Sequence, residues 1–100
     1  MWIFQSCPGD YDAVTFRLAA GAIKTVGRAT RADFIVDAAL VSRLHCRLTA
    51  GDETVEVLDL KSTNGTFVND KRIHKANLAA GDRLRVGRVE LKVARAKKSD

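Results

Sequence analysis

Proline occurs once in this chain of 100 residues, at Pro8, and cysteine twice, at Cys7 and Cys46. Two cysteines rule out a disulfide-dense scaffold. With only two histidines to add, and no ligand spacing between them, they do not make up the roughly four ligands of a zinc site. They read as free thiols of a reducing compartment, Cys46 being a small core residue on an alternating stretch. Aromatic residues are also few: Trp2, Phe4, Tyr11, Phe16, Phe34 and Phe67. Most stand at core-alternating positions, which leaves little for a base-stacking platform and weighs against nucleic acid as a partner. No apolar run approaches the roughly 20 residues of a membrane helix, so no membrane partner is expected. Met1–Gln5 has no basic stretch and only a three-residue apolar run, unlike a signal peptide.

What is present is ordinary for a soluble domain: 46% hydrophobic and 29% charged residues. The length suits one domain with one core and is too short for a multidomain enzyme. The formal charge of +5 is unevenly spread. Residues 91–100 hold Lys92, Arg95, Lys97 and Lys98 against Asp100, leaving +2 for the first ninety. Residues 95–100 read as a basic, flexible tail, or the start of a linker to further chain, after a domain spanning 1–94. Basic character favours an anionic partner without saying which.

Most of the chain alternates apolar and polar residues in short runs separated by turns. Val14, Phe16 and Leu18 alternate with Thr15 and Arg17, and Leu44, Cys46 and Leu48 with His45, Arg47 and Thr49. Val55 and Val57, Leu84 and Val86, and Leu91 and Val93 continue the pattern, with shorter runs at Trp2–Gln5, Ile23–Val26 and Thr66–Val68. Turn signals every eight to twelve residues point to a β-sandwich or barrel. Residues 33–44 differ. Phe34, Ala38, Val41, Leu44 and Leu48 recur at helical spacing, while Ile35 and Val36 favour a strand, so the pattern leaves both open. Gly87-Arg88 lies between two alternating runs and reads as a tight hairpin turn with an exposed arginine.

Four polar clusters interrupt the alternation: Gly27-Arg28, Ser42 to His45, Lys61 to Thr66, and Asn69-Asp70. Arg28 and Arg43 carry permanently charged planar forks, Ser42, Ser62 and Thr63 hydroxyl donors, and Asn64 an amide that both donates and accepts. That set suits a phosphate ester on a peptide. It suits catalysis poorly, because no carboxylate pair, Cys–His pair or Gly-rich phosphate loop accompanies it.

Thr25-Val-Gly-Arg28, Val41-Ser-Arg-Leu-His45 and Leu60-Lys-Ser-Thr-Asn-Gly-Thr-Phe-Val-Asn69 together resemble the forkhead-associated (FHA) domain. Thirteen residues separate the first pair from Ser42-x-x-His45, and eighteen separate that from Asn64-Gly65. The resemblance covers roughly residues 2–94. It implies an all-β fold, an eleven-stranded β-sandwich of two twisted, mostly antiparallel sheets, with a short strand rather than a helix before Ser42. It implies a non-catalytic module whose loops at one apex bind phosphothreonine peptides. Arg28 is then the main phosphate ligand, Ser42 a hydroxyl donor to it, and Arg43 a backbone or guanidinium donor. Thr63 is a second hydroxyl contact and Asn64 grips the peptide backbone. Gly27 gives room beside the loop, His45 braces the loops internally, and Gly65 is the turn residue. No cofactor or metal is implied.

The same residues have blander readings. Arg43 also suits an ion pair with Asp37 or Asp59, Ser62 and Thr63 suit a turn capping the next strand, and His74 belongs to no motif and reads as solvent-facing. The expected partner is a phosphothreonine-containing protein, in cis or in trans, within a Ser/Thr kinase pathway. The expected setting is intracellular, cytoplasmic or, in a eukaryote, nuclear, and the expected state is monomeric. Leu40, two positions before Ser42, implies tolerance of an apolar residue three positions after the phosphothreonine. The alternative is an FHA-fold interaction or self-association module that does not depend on phosphate.

Overall fold

Runs whose alternate residues are apolar bury one face when extended, and turns rich in Gly, Asn and Asp let the chain reverse between them. The computed structural model describes residues 1–96, and within them such runs give eleven strands and no helix. Six form one sheet: β1 (Trp2–Ser6), β2 (Thr15–Leu18), β7 (Thr66–Val68), β8 (Lys71–Ile73), β10 (Arg83–Val86) and β11 (Val89–Arg95). Five form the other: β3 (Ile23–Gly27), β4 (Phe34–Ile35), β5 (Cys46–Ala50), β6 (Val55–Asp59) and β9 (Lys75–Leu78). The first sheet runs β2-β1-β11-β10-β7-β8 and the second β4-β3-β5-β6-β9. Every pairing is antiparallel except β3 with β4. The eleven-stranded, two-sheet all-β architecture is the one expected.

The two sheets share one core. Trp2, Phe4, Leu84 and Leu91 enter it from the six-stranded sheet, and Val26, Leu48, Val57 and Leu78 from the five-stranded one. Cys46 is fully buried there, and burial pushes its thiol pKa far up, so it stays protonated and inert. Phe16 and Phe34, with ring centroids 4.5 Å apart, stack between β2 and β4.

The helical spacing of residues 33–44 does not become a helix. Val36 N–H donates to the Gly27 carbonyl at 2.8 Å and β4 pairs with β3, so tertiary pairing overrides a local period. Phe34, Val36 and Val41 still reach the core, from a two-residue strand and the loop after it. His45 stands at a polar position of the alternation yet is fully buried, whereas Leu44 is only half-buried. Arg95 ends β11 opposite Trp2, so the sheet continues one residue into the stretch read as tail. Ala96 N–H donates to the Met1 carbonyl at 2.9 Å, and the remainder of the tail reading, residues 97–100, lies outside the described residues. Gly87, at φ +59°, and Arg88 form the two-residue link of the β10–β11 hairpin, with Arg88 exposed as expected. His74 is exposed as well.

Candidate functional site

The segment after β3 and the segment before β5 are laced together by their backbones. Arg28 N–H donates to the Ser42 carbonyl at 2.9 Å, Ala29 N–H to the Arg43 carbonyl at 3.1 Å, and His45 N–H to the Val26 carbonyl at 2.7 Å. This approach needs a glycine at 27: a Cβ there would collide with the Arg43 carbonyl, standing 2.7 Å from its carbon. Thr25, two residues earlier, is tied to the Asp33 carboxylate through its N–H at 2.9 Å and its hydroxyl at 3.1 Å. The pair fixes both ends of the loop that follows Arg28.

A third segment, between β6 and β7, is held from beneath. His45 accepts the Ser42 N–H on Nδ1 at 3.0 Å, so the proton of the neutral ring is on Nε2, which donates to the Gly65 carbonyl at 2.8 Å. One buried imidazole thus joins the Ser42 loop to the Asn64-Gly65 turn, the brace expected of it. Burial holds the His45 pKa below 6.5, against the pull of the Gly65 carbonyl and Asp59. Protonation would place an N–H against the Ser42 N–H and break the link.

Asp59 is the second support. One carboxylate oxygen accepts the Ser62 hydroxyl at 2.5 Å and the Thr66 hydroxyl at 2.7 Å, and the other accepts the Ser62 N–H at 3.2 Å. Burial alone would raise its pKa, but these donors outweigh it and the net effect is downward. Ser62 passes the support on by accepting the Gly65 N–H at 3.0 Å. Sequence reasoning weighed Asp59 only as an ion-pair partner of Arg43; no such pair forms among the described residues. The missed signal was Asp59-x-x-Ser62, the spacing of a carboxylate that ties down a turn. The capping role weighed for both Ser62 and Thr63 belongs to Ser62, which is buried.

Above these supports the five residues expected to bind line one open cleft of about 540 Å³. Arg28, Ser42, Arg43, Thr63 and Asn64 stand around it with Ala39, Leu40 and Val41. Arg28 and Arg43 are exposed and lie on both this cleft and a neighbouring hollow of about 410 Å³ beside Thr30 and Asp37. Ser42 Oγ accepts the Thr63 N–H at 3.1 Å, which leaves its own proton free to donate outward. Asn64 Nδ2 donates to the Leu40 carbonyl at 3.2 Å, and its amide oxygen accepts no hydrogen bond among the described residues. Leu40 itself is exposed and held at φ +70°, an uncommon conformation for a bulky residue.

Residues 24–87 match the family model of the FHA domain. The chain belongs to the FHA family. It is 37% identical over 78 residues to the ABC transporter ATP-binding/permease protein Rv1747 of Mycobacterium tuberculosis, a match of 78% of this chain and 9% of that protein. It is 36% identical over 67 residues to the oxoglutarate dehydrogenase inhibitor of Corynebacterium diphtheriae, a match of 67% and 47% respectively. Among solved structures it resembles the FhaA FHA domain complexed with the intracellular domain of Rv3910. The TM-score is 0.82 and the identity 32%, covering 93% of this chain and 99% of that one. The chain therefore spans less than half the length of these curated relatives.

Proposed function

We propose that this FHA domain reads phosphothreonine on a partner protein through the cleft of Arg28, Ser42, Arg43, Thr63 and Asn64. The family is one of phosphothreonine-binding protein-interaction modules. The observation that carries the reading is the convergence of two arginines, an outward-free serine hydroxyl, a threonine and an asparagine on one open cleft. A phosphothreonine carries about −1.5 to −2 charges at neutral pH. Arg28 supplies the main charge-assisted bonds, Ser42 and Thr63 satisfy remaining phosphate oxygens, and Asn64 holds the peptide backbone. Loops at one apex of the sandwich would present these groups. The role is recognition without chemistry, on a substrate written by a Ser/Thr kinase, and so inside the cell. One named relative is an inhibitor of a dehydrogenase and one solved relative is seen with an intracellular partner domain, both consistent with a regulatory binder.

The test is titration of a phosphothreonine peptide against wild type and Arg28→Ala. Charge-assisted bonds worth roughly 1.5–3 kcal/mol predict a loss of about tenfold to over a hundredfold. Equal affinity for both proteins would overturn Arg28 as the main phosphate ligand, and equal affinity for phosphorylated and unphosphorylated peptide would establish the phosphate-independent alternative.

A further inference from the structure

The outer face of the six-stranded sheet has a charge the core-facing pattern does not explain. Leu84, Val86, Leu91 and Val93 point inward and are buried, so Arg83, Arg85, Glu90 and Lys92 between them point outward. The pairing register carries the same face to Arg72, opposite Phe67, and to Arg17, opposite Ile3. Five cations thus stand with one carboxylate, and that carboxylate, Glu90, is already paired with Arg83 at 3.4 Å. The outer face of the other sheet is nearly balanced: Arg47 and Lys75 stand with Glu56, which pairs with Lys75 at 3.5 Å, among Ile23, Thr49 and Asn77.

This basic face adjoins the phosphothreonine cleft. The tip of the β10–β11 hairpin abuts the Ala39-Leu40 wall of the cleft, where a Cβ on Gly87 would lie 2.9 Å from the Leu40 carbonyl carbon. On the far side of that wall is a second hollow of about 330 Å³. Ala38 and Ala39 line it together with Tyr11, Arg85 and Arg88, and the Pro8–Asp10 turn and Glu90 stand on it as well. Ala39 belongs to both hollows. Arg88 is exposed and has no carboxylate within ion-pair distance among the described residues. The Arg85 guanidinium lies 4.1 Å from the centre of the Phe67 ring, which orders its charge and covers that aromatic surface. A covered ring offers no platform for a nucleic-acid base, whereas ordered guanidinium groups beside a peptide cleft suit carboxylates.

We propose, on the phosphothreonine reading above, that Arg85 and Arg88 form an accessory subsite for an acidic segment flanking the phosphothreonine of the same partner. The bound peptide crosses the Ala39-Leu40 wall, and its Asp or Glu side chains meet Arg88 first and Arg85 next. The remaining cations of the face add long-range attraction, which acts mainly on the rate of encounter.

The experiment measures affinities for three peptides sharing one phosphothreonine core. One has neutral flanks, one a glutamate block after the core, and one a glutamate block before it; each is also tested unphosphorylated. One glutamate peptide should bind about five- to tenfold tighter than the neutral one at low salt, an advantage that shrinks as salt rises. Arg85→Gln/Arg88→Gln should abolish the advantage and leave the affinity for the neutral phosphopeptide unchanged. Arg88→Gln alone, at an exposed hairpin tip, should reduce it with an unaltered melting temperature. Equal affinity for all three phosphopeptides, or an advantage that survives the double variant, overturns the subsite while the phosphothreonine reading stands. Indifference of wild type to phosphorylation of the core overturns that reading and the subsite with it. Tighter, Arg88-dependent binding of a single-stranded oligothymidylate than of the glutamate peptide assigns the face to nucleic acid and overturns the acidic-peptide subsite.

Discussion

The rim of the cleft and the layer beneath it use similar residue types in opposite ways. Beneath, His45, Asp59, Ser62 and Thr66 spend their polar atoms on one another and on the backbone, and no buried side-chain nitrogen or oxygen among the described residues lacks a partner. At the rim, Arg28 and Arg43 are exposed, and Ser42 keeps its proton for an outside acceptor. A serine at 62 is therefore a fold residue, and on the proposed reading a serine at 42 is a recognition residue. Satisfied groups beneath hold unsatisfied groups above at fixed positions, which lowers the ordering cost when a ligand binds.

Substitutions should separate the two layers cleanly. The largest effect is expected at Gly27→Ala, where the new methyl meets the Arg43 backbone and no flexible side chain can yield. Chemical denaturation should show a loss of about 3 kcal/mol, and a stable variant would mean that the two loops separate easily. His45→Ala comes next. It strands the buried Gly65 carbonyl and frees the part-buried Ser42 N–H, which can turn to water, so the loss should be about 1–3 kcal/mol in all. Melting should fall by roughly 4–8 °C for each kcal/mol. Binding should fall too, because Ser42 loses its anchor.

The same layer should set the acid limit of stability. The folded-state pKa of His45 lies below 6.5, so the unfolded chain takes up a proton that the folded chain refuses. Stability is whole above about pH 6.5 and declines as pH falls from there. The depressed pKa of Asp59 adds a second loss, beginning below its ordinary 3.8 and completed as pH falls through its folded value. Denaturation midpoints across this range should slope downward for wild type and lose the upper limb in His45→Gln. A slope unchanged by that substitution would remove His45 as its source.

Rim substitutions should leave melting alone. Arg28→Lys keeps the charge and loses the planar fork, so it should bind more weakly than wild type and better than Arg28→Ala. Indifference to lysine would mark a diffuse electrostatic site. Thr63→Val is the mildest test. It preserves shape and the backbone bond to Ser42, removes one hydroxyl, and should cost about 1 kcal/mol in peptide affinity with no change in melting.

Legibility in the sequence followed the same division. Strands with a clear apolar alternation, such as Arg83–Val86 and Val89–Arg95, were readable because one face of each meets the core. Lys71–Ile73 and Lys75–Leu78 were not. Each is a sheet edge, the first with two cations in three residues and the second with little β-branched content. Asp59 was visible as a carboxylate but not as a support, since its partners depend on how the turn after β6 folds back beneath the cleft.

The sequence alone determined the strand-rich class, the order and spacing of Gly27-Arg28, Ser42-x-x-His45 and Asn64-Gly65, and through them the FHA family. These are local properties: alternation needs only neighbours two apart, and a motif only its own residues. Tertiary structure decided what the chain could not state in one dimension. It buried His45 at a polar position, made Asp59 a buttress instead of an ion pair, and set the Gly87-Arg88 hairpin against the wall of a cleft more than forty residues upstream. Each outcome follows from which strands pair across the two sheets, because only that pairing fixes which distant backbone groups a buried side chain must satisfy.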